Sequence, residues 1–125
     1  PVFDRHPDWL AKTKAGVDAF PLSGTREFFY WLSHTHPDAQ AWLIDLMVEI
    51  ATNYKVDSIE FDRARYPQLD CGYDDKTKEL YAAEHDGRQP PENERDRAWM
   101  AWRARKRNDF ISRLNKRVKA VDWRM

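Results

Sequence analysis

Two acids at i, i+2 followed at once by a cation, Glu60-Phe61-Asp62-Arg63, are the residues of this chain best suited to chemistry. On an extended strand such a pair shares one face and stands about 6.6–7 Å apart along it. The deeper carboxyl, Glu60, is then raised in pKa by desolvation and by the charge of Asp62 at the strand's end. Two carboxylates held apart in pKa are what acid/base cleavage of a glycosidic bond requires. Arg63 and Arg65 follow immediately, and the competing reading is an ion-pair network at the sheet's end that only neutralises the two acids.

His34 and His36 lie two apart in Leu32-Ser33-His34-Thr35-His36-Pro37-Asp38. With Asp57 or Asp62 as a third ligand they would make a metal site, but the spacing matches no metal motif. Helix capping and hydrogen bonding to a substrate are therefore the readings carried forward. Tyr66, Pro67 and Tyr73 offer either an aromatic platform or plain loop packing. Arg103, Arg105, Lys106, Arg107, Arg113, Lys116 and Arg117 stud the last helical stretch. Such a run is ordinarily a solvated face, though it is also the feature that would serve a nucleic-acid binder. Its aromatics fall on the apolar stripe rather than among the cations, which argues against that use.

The elements that must position these groups can be read from periodicity. Pro37 and Asp38 suit a helix start, and Trp42, Leu43, Leu46, Met47, Ile50, Ala51 and Tyr54 recur at helical spacing, which predicts a helix to about residue 54. Glu27–Leu32 reads as a strand before it, and Val56–Asp62, with Ile59 and Phe61 alternating with polar residues, as a strand after it. Pro67 and Gly72 mark a loop; a short helix follows over 75–85, broken by Gly87 and Pro90-Pro91. A long helix then starts near Asn93 or Arg95, with Trp99, Trp102, Phe110, Ile111, Leu114, Val118 and Val121 on one stripe. Residues 1–25 read as irregular. Strand, helix, strand implies a βαβ crossover with parallel pairing, and in such sheets functional groups collect at the carboxyl ends of the strands.

Composition narrows the classes. The 125 residues hold 21 Lys+Arg and 21 Asp+Glu, so the formal net charge is zero, without the basic excess of a typical nucleic-acid binder. Acids concentrate over 57–86 and cations over 95–119. Six Trp, six Phe and five Tyr are enough for a genuine core. The sequence has no apolar run of membrane-spanning length, and its single cysteine, Cys71, excludes an internal disulfide and a thiolate zinc site. A start at Pro1-Val2-Phe3-Asp4 leads us to expect a segment of a longer chain.

The stretch Asn53-Tyr54-Lys55-Val56-Asp57-Ser58-Ile59-Glu60-Phe61-Asp62-Arg63-Ala64-Arg65-Tyr66-Pro67 resembles the glycosyl-hydrolase-like family 10 pattern N-Y-x-V-D-G-I-x-F-D-D-x-x-Y-P. His6-Pro7-Asp8-Trp9-Leu10 is similar to that family's R-P-D-W-L segment, Leu32–Asp38 to its turn into a helix, and Cys71-Gly72-Tyr73-Asp74 to its G-Y-D loop. Asp96-Arg97-Ala98-Trp99-Met100-Ala101-Trp102-Arg103 with Asn108 resembles its D-x-x-W-x-x-W-R-R-x-N helix. These motifs run in register over about residues 6–120.

The resemblance implies an α/β fold, a partial (β/α)8 barrel around its third and fourth strands. A full barrel takes roughly 250 residues, so 1–125 would be about half of one catalytic domain, with the remaining half of the barrel as its partner. The implied function is hydrolysis of O-glycosyl bonds in a polysaccharide or oligosaccharide, with Asp62 as catalytic carboxylate and Glu60 as second acid. His34, His36, Asp57, Arg63 and Tyr66 would be substrate contacts. No metal, cofactor, nucleic acid or membrane is expected, and the setting implied is extracytoplasmic or secreted. Two departures matter: Arg63 replaces the pattern's second Asp, and Ser58 its Gly. Asp57, Glu60 and Asp62 also align with the family 18 chitinase pattern D-G-x-D-x-D-x-E, but Ala64 stands where its last acid would be, against a chitinase mechanism. The alternative is a barrel that binds glycan without hydrolysing it.

Overall fold

The structure is a computed structural model that describes residues 1–125. Local signals account for its three main helices. Helix α2 (Pro37–Asn53) starts with Pro37 at its first position and Asp38 in its first turn, where a fixed φ and a negative charge both favour helix. Helix α3 (Asp75–Glu84) is capped by Asp74, whose carboxylate accepts the Thr77 backbone N–H at 3.0 Å. Helix α4 (Arg97–Val121) is capped likewise by Asp96, which accepts the Trp99 N–H at 2.9 Å. Each cap satisfies an otherwise orphaned donor, worth about 1 kcal/mol. Before them come a single turn, α1 (Val2–Arg5), and a 3-10 turn at Pro7–Trp9.

The sheet differs from expectation. Strands β1 (Ala19–Pro21) and β2 (Phe28–Tyr30) pair antiparallel, with Phe20 opposite Phe29. β1 lies in the stretch read as irregular, and β2 in the one read as a strand. No parallel βαβ unit is present: the sheet has two strands, and residues 56–62 form none. The physical reason is the lack of a hydrogen-bonding neighbour, without which a strand has nothing to pair with. The alternation at 58–62 nevertheless decides burial. Ile59 and Phe61 pack against the α2–α4 core, and Glu60 and Asp62 are exposed. The fold is thus mixed helix and small sheet, compatible with part of an α/β domain.

Three apolar clusters hold it together. Ile44 and Ala51 of α2 meet Phe110, Leu114 and Val118 of α4. Tyr81 of α3 meets Trp99 and Trp102 of α4, with Tyr73 beside them. Ala11, Phe20, Trp31 and Cys71 form the third. The buried face of α2 is shifted from the one predicted, since Trp42 and Tyr54 of the expected stripe are exposed and Ile44 is buried. The expected α4 stripe is instead buried at Trp99, Trp102, Phe110, Leu114 and Val118 and exposed only at its end, Val121. Residues 9–13 run between two neighbours. Ala11 N–H donates to the Trp31 carbonyl and Ser33 N–H to that of Trp9, both at 2.7 Å. Gly72 and Tyr73 both donate to the Lys12 carbonyl, at 3.0 and 3.1 Å. This strip ties the turn before α2 to the loop before α3.

Candidate functional site

β2, the turn into α2 and the 61–63 loop enclose an open cleft of about 260 Å³. Its walls are aromatic, from Phe3, Tyr30, Trp31 and Phe61, and its polar groups are His34, Asp62 and Arg63. Phe3 reaches it because α1 folds back on the sheet, with its ring 5.4 Å from Tyr30. Phe61 is fixed edge-on against Phe110 at 5.8 Å.

His34 is 5% exposed, stacked on Phe110 at 6.3 Å and met edge-on by Tyr66 at 5.5 Å. Burial, helped by the Arg107 charge, lowers its pKa to about 4, so the imidazole is neutral near pH 7. Its Nδ1 is buried without a hydrogen-bond partner. The Gln40 side chain donates to the His34 carbonyl and accepts from Arg113, which holds the turn to both α2 and α4.

Asp62 is exposed at the rim. Its Oδ1 accepts the Arg63 backbone N–H at 2.6 Å, and its Oδ2 lies 3.6 Å from Arg63 Nε. Arg63 adopts φ +57°, a left-handed conformation that costs a non-glycine residue about 1–2 kcal/mol. That turn lays the guanidinium over the aromatic wall, 5.8 Å from the Trp31 ring and 6.0 Å from Phe29.

The other expected site residues lie elsewhere. His36, 6% exposed, points Nε2 at Asp8 Oδ2 from 3.5 Å and lines a separate polar cleft with Lys12, Asp38 and Asp74. Tyr66 backs His34 but lines a third cleft with Pro67, Met100 and Arg107. Its hydroxyl is buried without a partner, and burial raises its pKa above the usual phenol value. Asp57 and Glu60 are exposed and line none of these clefts. The structure therefore joins His34, Asp62 and Arg63 and leaves Asp57, Glu60, His36 and Tyr66 outside the group. Without a strand, nothing aligns Glu60 with Asp62.

Two ionisable residues outside the cleft, Asp74 and Arg103, are buried, a role that their places in the G-Y-D loop and among the α4 cations do not indicate. Asp74, 2% exposed, accepts from Ser33 Oγ at 3.1 Å and Thr77 Oγ1 at 2.8 Å, and Thr35 joins Thr77 in the same network. Burial raises its pKa, against the pull of those hydrogen bonds. Arg103, 4% exposed, donates to the carbonyls of Leu69, Cys71 and Glu94 and lies over the Trp99 and Tyr66 rings. The available signals were an Asp just before a helix with Thr three residues on, and an Arg in register with Trp99 on the apolar stripe. The other α4 cations are partly committed as well, Lys106 to Glu84, Arg113 to Gln40 and Arg117 near Asp45.

No group of three or more His, Cys, Asp or Glu side chains is placed to hold a metal ion, and no helix is long and apolar enough to cross a membrane. What the cleft offers is a set of ring faces with a carboxylate, a neutral imidazole and a guanidinium at their edge. A sugar presents C–H groups on its faces and hydroxyls around its rim, which suits both halves of that lining.

Comparison with known families matches residues 1–124 to glycosyl hydrolase-like 10. The chain belongs to that family. No curated protein and no solved structure matches it.

Proposed function

We propose that this chain is a segment of a (β/α)8 glycoside hydrolase-like domain that hydrolyses O-glycosyl bonds in a polysaccharide or oligosaccharide, and that the cleft at 61–63 is its sugar site. The observation that carries this reading is the convergence of Asp62, His34 and four aromatic side chains on one cleft. Family membership supports the substrate class. In this reading Asp62 is the catalytic carboxylate, His34 a neutral hydrogen-bonding group and Arg63 a contact at the rim. Asp62 is the single carboxylate lining the cleft, whereas glycoside hydrolysis ordinarily uses two. Glu60 from the same loop, or an acid from the rest of the barrel, supplies the second.

The test is Asp62→Asn in the complete domain, scored by release of reducing ends from a glycan panel. Loss of a general acid/base group predicts a fall of about 10²–10⁴-fold with the fold intact by circular dichroism. Unchanged turnover overturns the assignment.

One observation favours a second reading. The only acid of the cleft is flanked by Arg63, an arrangement suited to binding glycan without cleaving it. Calorimetric binding with no reducing ends released would select that reading.

A further inference from the structure

Arg63 combines features that a merely neutralising cation does not need. Its backbone is held in the left-handed region at φ +57°, and the Asp62 carboxylate accepts its backbone N–H at 2.6 Å. The side chain extends over Phe29 and Trp31, with the guanidinium carbon 6.0 and 5.8 Å from their ring centres. Yet the guanidinium makes no hydrogen bond of its own. Its nearest acid, Asp62, approaches only the Nε side, at 3.6 Å. Arg63 lines a cleft whose other residues, Asp62 apart, are aromatic, aliphatic or neutral. A guanidinium with no hydrogen bond of its own at the edge of such a cleft matches a carboxylate held by two parallel hydrogen bonds.

We propose that Arg63 is a specificity-determining residue that selects acidic sugars, with the carboxylate of a uronic acid unit accepting from its guanidinium while the sugar ring packs on the exposed Tyr30. This rests on the reading of the cleft as a sugar site and adds the substrate class. The volume, about 260 Å³, lies near the lower end of ligand clefts and suits one ring-sized unit. The inference commits to binding alone and involves no covalent step.

The experiment is calorimetric titration of the full chain with short oligomers of glucuronate, galacturonate and mannuronate, each paired with its neutral parent. At least one uronate binds about tenfold to a hundredfold tighter than its neutral partner, the range of a charge-assisted pair. Arg63→Gln removes that preference, read as the ratio of uronate to neutral affinity in the same protein. Arg63→Lys, with the charge but without the fork, keeps only part of it. Arg63 is half exposed, so neither substitution opens the core, and circular dichroism checks that both fold.

A preference that survives Arg63→Gln, or neutral sugars binding as well as every uronate, overturns the inference and leaves the glycan site standing. Failure of all six ligands to bind overturns both. Asp62→Asn separates the readings from the other side: it lowers hydrolysis, and it removes the anion beside the guanidinium while an amide Oδ1 can still accept the Arg63 N–H. The preference for uronate over neutral sugar should therefore stay the same or grow, and a smaller preference counts against the Arg63 pairing.

Discussion

Replacing His34 by Phe should make the protein less sensitive to acid. In the folded chain burial and the Arg107 charge lower the His34 pKa from 6.5 to about 4. Between those two values the unfolded chain binds a proton that the folded chain does not. The stability tied to the neutral imidazole is therefore complete above pH 6.5 and is lost progressively as the pH falls toward 4. At ~1.36 kcal/mol per pH unit the full loss is about 3 kcal/mol, most of it reached by pH 4.5. Phe cannot take up a proton, and it keeps an aromatic ring against Phe110 and Tyr66. Urea unfolding of both proteins at pH 7.0 and 4.5 measures the difference. Wild type should lose about 2–3 kcal/mol more than His34→Phe on acidification, or on the order of 1 M in midpoint for a chain of this size. Groups titrating equally in both proteins cancel, including Asp74, whose raised pKa acts in the opposite sense. Equal losses in the two proteins would refute the claim that His34 is buried neutral.

Gly72→Ala should cost about 2 kcal/mol or more in thermal or urea unfolding. The position has φ +97°, and a Cβ there would sit 3.0 Å from Arg103 Cδ and 3.3 Å from the Tyr66 ring. Gly16→Ala, at φ +82° with open space around it, should cost only the backbone strain of about 1 kcal/mol; equal effects would show that the close approach at Gly72 contributes nothing. Asp74→Ala removes a helix cap and leaves the Ser33 and Thr77 hydroxyls without their acceptor. A loss of about 2–4 kcal/mol is expected, with Asp74→Asn retaining part of it, and a change under 0.5 kcal/mol by chemical denaturation would contradict the network.

The helices were the legible part of this fold because their signals are local. Pro37 and Asp38 mark one start, and α3 and α4 fall within a few residues of their expected spans. The sheet was not, since pairing depends on partners far along the chain. Nothing near Ala19 announces that Phe20 will face Phe29. Over 56–62 the alternation correctly indicated that Ile59 and Phe61 bury, but it carries no information on whether a neighbouring strand is there to pair. The site divides along the same line. His34 and Asp62 are legible because each stands at or just past the end of a stretch read as strand, whereas Phe3 reaches the cleft only through the folding back of the N-terminus onto Tyr30. Glu60 was paired with Asp62 on the strength of a strand that does not form.

α4 follows every other element of residues 1–125, which has a consequence for the order in which they assemble. Two of the three clusters need α4, which supplies Phe110, Leu114 and Val118 to the one around Ile44 and Trp99 and Trp102 to the one around Tyr81. From the same helix Arg103 gathers the carbonyls of Leu69, Cys71 and Glu94. During synthesis from the N-terminus, only the Ala11–Phe20–Trp31–Cys71 cluster can close before α4 emerges. Until then α2 lacks its main packing partner, α3 is held to the turn before α2 chiefly by the Asp74–Thr77 network, and the wall behind His34 lacks Phe110. The cleft thus depends on a helix that contributes none of its lining residues.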